Sequence, residues 1–143
     1  MNMKPHILRP VSLVLFAIAL GVSFGASAQS VSLPTKENGE GPVRVSVTPQ
    51  NLSKAADAWR FEVRFNTHVM ELTEDIVAVA SLSDGRSAVE RPTAWDGDPP
   101  GGHHRKGVLV FKPLDRMPET ITLHIREVGG IADRAFTWNL ANP

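Results

Sequence analysis

The 143 residues include no cysteine and no tyrosine, and basic and acidic side chains cancel at 15 each. Each absence excludes a class of protein. Without cysteine there are no disulfides, zinc–thiolate sites, iron–sulfur clusters or thiol catalysis. Without a basic excess, the counterion release that drives nucleic-acid binding is missing, so no nucleic-acid partner is expected. The chain also lacks a Gly-x-Ser-x-Gly elbow, a His-Glu-x-x-His helix motif, a phosphate loop and a dinucleotide fingerprint, and so points to no enzyme class. A hydrolase built on His103 as general base with Asp96 as its orienter has no identifiable nucleophile.

Long apolar runs are also scarce. The longest, Val11 to Val22, is about a dozen residues, short of the ~20 that a membrane span needs. It follows Lys4, His6 and Arg9 and precedes Ala26-Ser27-Ala28, which together make a secretory signal peptide over residues 1–28. Cleavage after Ala28 leaves a periplasmic or secreted chain beginning at Gln29, with no membrane span after processing. Without Lys4 and Arg9 it carries 13 basic against 15 acidic residues. Residues 29–42, with Lys36-Glu37-Asn38-Gly39-Glu40-Gly41-Pro42, have little to bury and read as a flexible tether. Residues 43–143 form one domain, a usual size for a single core.

Within that domain the pattern has period two. Val43, Val45 and Val47 alternate with Arg44, Ser46 and Thr48, and Trp59, Phe61, Val63 and Phe65 alternate with Arg60, Glu62, Arg64 and Asn66. Thr73 can cap one helical turn, with Glu74 and Asp75 in its first positions. A strand over Val77 to Leu82, a hairpin turn at Asp84-Gly85 and an extended segment from Ser87 to Trp95 follow. Gly107 to Phe111, Thr120 to Val128 and the run Phe136, Trp138, Leu140 complete the set. Short strands with turns and almost no helix predict an all-β fold, an immunoglobulin-like antiparallel β-sandwich of about seven strands. A closed barrel is the alternative. The core is expected to hold Val45, Phe61, Val63, Phe65, Leu123, Ile125, Phe136 and Trp138.

The segment from Trp95 to Gly107 carries the most chemistry. Pro99-Pro100-Gly101-Gly102 makes a stiff, tight loop that presents His103 and His104, and His68 lies just past the best strand. His68, His103 and His104 with Asp96 compose a mixed nitrogen and oxygen set for a copper or zinc ion, and Met70 or Met117 offers a thioether. Adjacent residues of an extended strand point to opposite faces, so His103 and His104 share an ion only if the loop turns between them. The structural alternative has one histidine bonded to a loop carbonyl and the other facing solvent or paired with a carboxylate. Arg105 is expected to brace the loop against Asp96 or Asp98, Trp95 to form its floor, and His124 to lie on the surface.

These residues carry a resemblance. Asn66-Thr67-His68, Leu72, Trp95-Asp96-Gly97, Pro99 to Arg105, Gly107, Leu109, Phe111, Gly129-Gly130, Arg134, Phe136 and Trp138 together resemble a widespread family of small exported prokaryotic domains with no assigned activity. The resemblance spans Val43 to Leu140 and implies a shared rim site and an envelope location, but no reaction. Many relatives have Asp after a Ser-Val pair where this chain has Glu71 after Val69-Met70. The function expected is that of an exported binding module for a transition ion such as copper. Its rival is a structural domain with a self-braced loop that meets an envelope protein partner through a sheet face or edge.

Overall fold

The structure is a computed structural model that describes residue 1, residues 32–86 and residues 89–141. The predicted leader, beyond its first residue, and the cleavage site lie outside the described residues. Among the described residues nine strands and one short helix follow in order: β1 (Lys36–Asn38), β2 (Arg44–Pro49), β3 (Trp59–Asn66), α1 (Ile76–Val79), β4 (Ala80–Ser83), β5 (Val89–Glu90), β6 (Ala94–Gly97), β7 (His104–Phe111), β8 (Thr120–Val128) and β9 (Ile131–Asn139). They form two antiparallel sheets, β1-β2-β3-β7-β6 and β5-β4-β8-β9, consistent with the all-β sandwich. Among the described residues no helix is long and apolar enough to cross a membrane.

The period-two pattern places the core. Val45, Val47, Phe61, Val63 and Phe65 from one sheet meet Leu82, Leu123, Ile125, Phe136 and Trp138 from the other, all at most 2% exposed. Phe61 anchors this layer, edge-on to Phe111 at 5.7 Å between centroids and tilted against Trp138 at 5.8 Å. All eight residues expected inside are there.

Four elements differ from the sequence reading. The helical turn is capped by Asp75, not Thr73, with the Asp75 carboxylate accepting from the amides of Val77 and Ala78. That turn takes residues 76–79, so β4 starts at Ala80 and not at Val77. β6 occupies Ala94–Gly97, part of the expected loop, because Gly97 opposite Gly107 lets the two backbones pair closely. The tether contains β1, which pairs with β2 from Lys36↔Val47 to Asn38↔Val45.

What holds β1 is a buried cation. Arg134, fully buried on β9, donates to the carbonyls of Val128 (2.6 Å), Glu40 (2.8 Å) and Val43 (3.3 Å) and to Asn38 Oδ1 (3.2 Å). Trp138 Nε1 donates to the Pro34 carbonyl at 2.7 Å. Segment 34–43 is thereby fastened to β9 by side chains, which hydropathy does not reveal.

Candidate functional site

The rim loops are built from the ends of β3 and β7. Their register pairs Asn66 with His104, and one residue further the Thr67 amide donates to the His103 carbonyl at 2.9 Å. Leu72 N donates to Gly102 O at 2.9 Å, and Gly101 N donates to Leu72 O at 2.8 Å. Two loops about thirty residues apart are thus pinned backbone to backbone. Gly101 and Gly102 carry φ values of 115° and 70°, which only glycine adopts without strain.

The alternation of side chains then sorts the histidines. His104 shares the solvent face of the sheet with Asn66, and His68 stands diagonally across from it. Their rings meet edge to face, with centroids 5.8 Å apart and planes at 77°. His103 precedes β7 in the bend after Gly102, where its carbonyl accepts from Thr67, and its exposed side chain does not join the two rings in a metal-binding group. Asp96 is separated as well. It pairs with Val108, four residues along β7 from His104, or ~13 Å at the usual rise. Among the described residues no three His, Cys, Asp or Glu side chains gather as a metal-binding group. The four-residue set therefore reduces to two, His68 and His104.

The thioethers do not extend it. Met70 packs against the hydrophobic core, and Met117 lies past the far end of β7. There it lines a groove of about 750 Å³ with Arg86, Glu90, Leu114, Arg116 and Glu119.

Asn66 has a role that the pattern did not reveal. Its Oδ1 lies 2.9 Å from His104 Nδ1. An amide oxygen only accepts, so Nδ1 is a protonated nitrogen, and in the neutral ring Nε2 is the one left with a lone pair. A ligating histidine is set in the same way when its second nitrogen donates to an outer carbonyl or carboxylate. The only hint in the sequence was that Asn66 ends the strand beside His68.

The brace of the loop is Arg105, but its partners are not the expected acids. It is 2% exposed and donates from NH1 to the carbonyls of Leu72 (3.1 Å) and Glu74 (2.8 Å) and from NH2 to that of Asp98 (3.3 Å). The Asp98 carboxylate instead accepts from the Lys106 amide at 2.8 Å, and Asp96 is exposed on the opposite sheet face. Burial lowers the Arg105 pKa, against the raising influence of Glu74, Asp98 and Asp75. The guanidinium lies 5.9 Å from the centroid of Trp95, whose Nε1 donates to Asp98 O at 2.9 Å. Trp95 also meets Phe65 edge-on at 6.3 Å, and so forms the floor of the loop.

A second imidazole is set on the other sheet. His124 Nδ1 is 2.8 Å from Asp133 Oδ2, while Arg126 donates to Ser81 Oγ at 2.7 Å. Ser81 is 3% exposed and so offers no accessible nucleophile beside that dyad. Comparison with protein-family models, curated proteins and solved structures returned no match.

Proposed function

We propose that this is an exported binding module that takes a transition-metal ion, copper or zinc, between His68 and His104 at the rim of the sandwich. The observation that carries the reading is the ring pair itself. Two exposed imidazoles stand 5.8 Å apart, one of them held by Asn66 in the tautomer that leaves Nε2 free. Neutral imidazole nitrogens are good ligands for these ions. Bracing does not require the rings, because Arg105 and the backbone bonds between the loops do that work. With two protein ligands the remaining coordination positions stay open, as suits an ion that is received and handed on.

The test is thermal melting and calorimetric titration of the processed protein with Cu(II), Zn(II), Ni(II) and, without oxygen, Cu(I). Binding should stabilise the parent by about 2.7 kcal/mol at a hundredfold excess over Kd, and more weakly in acid, where protons compete for the nitrogens. His68→Ala and His104→Ala should each lose this gain while the metal-free proteins melt like the parent. A parent melt unmoved by every ion overturns the proposal and leaves the loop a structural feature.

A further inference from the structure

We infer that Asn38 is a site of spontaneous deamidation, and that the aspartate formed there closes an ion pair on the buried Arg134 and tightens the hold of β9 on the N-terminal segment. Of the asparagines in the chain, Asn38 is the one followed by glycine. Glycine has no side chain to shield its amide nitrogen, so that nitrogen can reach the preceding side-chain amide carbon. The pair sits where the chain leaves β1, and its surroundings are open. A Cβ added at Gly39 would meet only Arg44 Cζ, at 4.0 Å.

The hydrogen bonds of Asn38 favour the attack. Its Oδ1 accepts from the Glu40 amide at 3.0 Å and from Arg134 Nε at 3.2 Å. The first bond curls the side chain back across the Gly39 peptide. Both partners are N–H donors, so the atom they meet is the oxygen. In the reaction the Gly39 nitrogen gives its proton to hydroxide and bonds to Asn38 Cγ, and Oδ1 becomes an oxyanion. The two donors then face the developing charge. Nδ2 takes a proton from water and leaves as ammonia, and a succinimide ring remains. Water adding at Cγ breaks the new carbon–nitrogen bond and gives aspartate, whereas water adding at the main-chain carbonyl breaks the original peptide bond and gives isoaspartate.

The surroundings also suit the product. Arg134 donates to the carbonyls of Val128, Glu40 and Val43 and to Asn38 Oδ1, all of them neutral. Among the described residues the Asn38 side chain bonds through its oxygen alone. A carboxylate therefore keeps both bonds and sets a negative charge against the guanidinium, and charge-assisted bonds are roughly twice as strong as neutral ones. Isoaspartate would lengthen the main chain by one carbon where Asn38 pairs with Val45, against the register of β1. It can re-close to the succinimide, so the strand pairing favours aspartate.

Peptide mapping by mass spectrometry of the processed protein, held warm and mildly alkaline, tests the inference. Asn38 should change from amide to acid at a rate like that of a free peptide of residues 36–44, while Asn51, Asn66 and Asn139 stay intact. Gly39→Ala, which the open surroundings accommodate, should slow the change roughly tenfold or more by shielding the nitrogen. Asn38→Asp should melt roughly 3–8 °C above the parent near neutrality. That gain should fade in acid as the carboxylate is protonated, and should vanish in the Arg134→Ala background. An Asn38 that stays amidated in the folded protein while the free peptide converts overturns the site. Accumulation of isoaspartate, or an Asn38→Asp protein that melts no higher than the parent, overturns the ion pair.

Discussion

Gly97 and Gly107 face each other across β6 and β7, and the edge of the Trp95 indole occupies the space their missing side chains leave. A Cβ on Gly107 would lie 2.6 Å from Gly97 Cα and 2.7 Å from Trp95 Cζ2, and one on Gly97 would lie 2.4 Å from Gly107 Cα. Backbone cannot yield there as a flexible side chain would. Gly107→Ala should therefore displace Trp95 from beneath Arg105 and cost about 1–3 kcal/mol, the usual range for overpacking. Urea unfolding followed by near-ultraviolet circular dichroism measures both effects. An unchanged midpoint would mean that β6 separates freely from β7.

Phe61 lies at the centre of the sandwich, fully buried between Phe111 and Trp138. Phe61→Ala removes the ring and leaves a cavity, so a loss of about 3–5 kcal/mol is expected. Chemical denaturation gives the value. A loss below roughly 1 kcal/mol would reverse the register of β3, since a one-residue slip exchanges its two faces.

Arg105→Met keeps the volume and removes the donors. Leu72 O would still accept from Gly101 N and Asp98 O from Trp95 Nε1, leaving Glu74 O as the carbonyl without a donor. The expected cost is thus moderate, about 1–3 kcal/mol. Hydrogen exchange should show faster opening of the Thr67, Leu72 and Gly101 amides than in the parent. Equal protection in both proteins would assign the brace to the backbone bonds alone.

Arg134→Ala should cost more, about 2–4 kcal/mol, because four bonds to three carbonyls and an amide are lost together. It should also make segment 34–43 sensitive to proteases. Burial lowers the Arg134 pKa, with Glu40 and Glu74 opposing the shift. A cation with a depressed folded pKa binds fewer protons folded than unfolded between the two values, so stability rises with pH only in that window, which is strongly alkaline. The stability difference between parent and Arg134→Ala should accordingly be flat from about pH 5 to 9. A difference that shrinks as pH falls below about 5 would show that a carboxylate, not the carbonyl set, holds the guanidinium.

The alternation of Val45 and Phe61 through Phe65 made the faces of the large sheet legible, and that of Leu123, Ile125, Phe136 and Trp138 did the same for the small one. Burial follows hydrophobicity, and hydrophobicity has a period that can be read. β1 escaped because Lys36, Glu37 and Asn38 have no apolar member, and their fastening depends on Arg134, a charged residue ordinarily assigned to the surface. Of the rim residues, the alternation rule made sharing between His103 and His104 conditional on a turn between them. It could not show that Asn66 lies opposite His104, because register depends on how two distant strands align. Nor could it separate Asp96 from the histidines, since nearness along the chain to a loop does not fix the position along a sheet.

The bonds from Arg134 and Trp138 to the N-terminal segment join positions 91 to 104 residues apart. Folding rates fall as native contacts become more distant in sequence, because loop-closure entropy must be spent before the contact forms. A chain emerging N-terminus first presents β1 and β2 long before β9 exists to receive them. The N-terminal strand must wait for the C-terminal one, and until Ile131–Asn139 arrives the valine face of β2 and β3 has no opposing β9 to cover it. The nascent domain needs shielding over most of its synthesis, and removing β9 alone should convert it from a late folder into a non-folder.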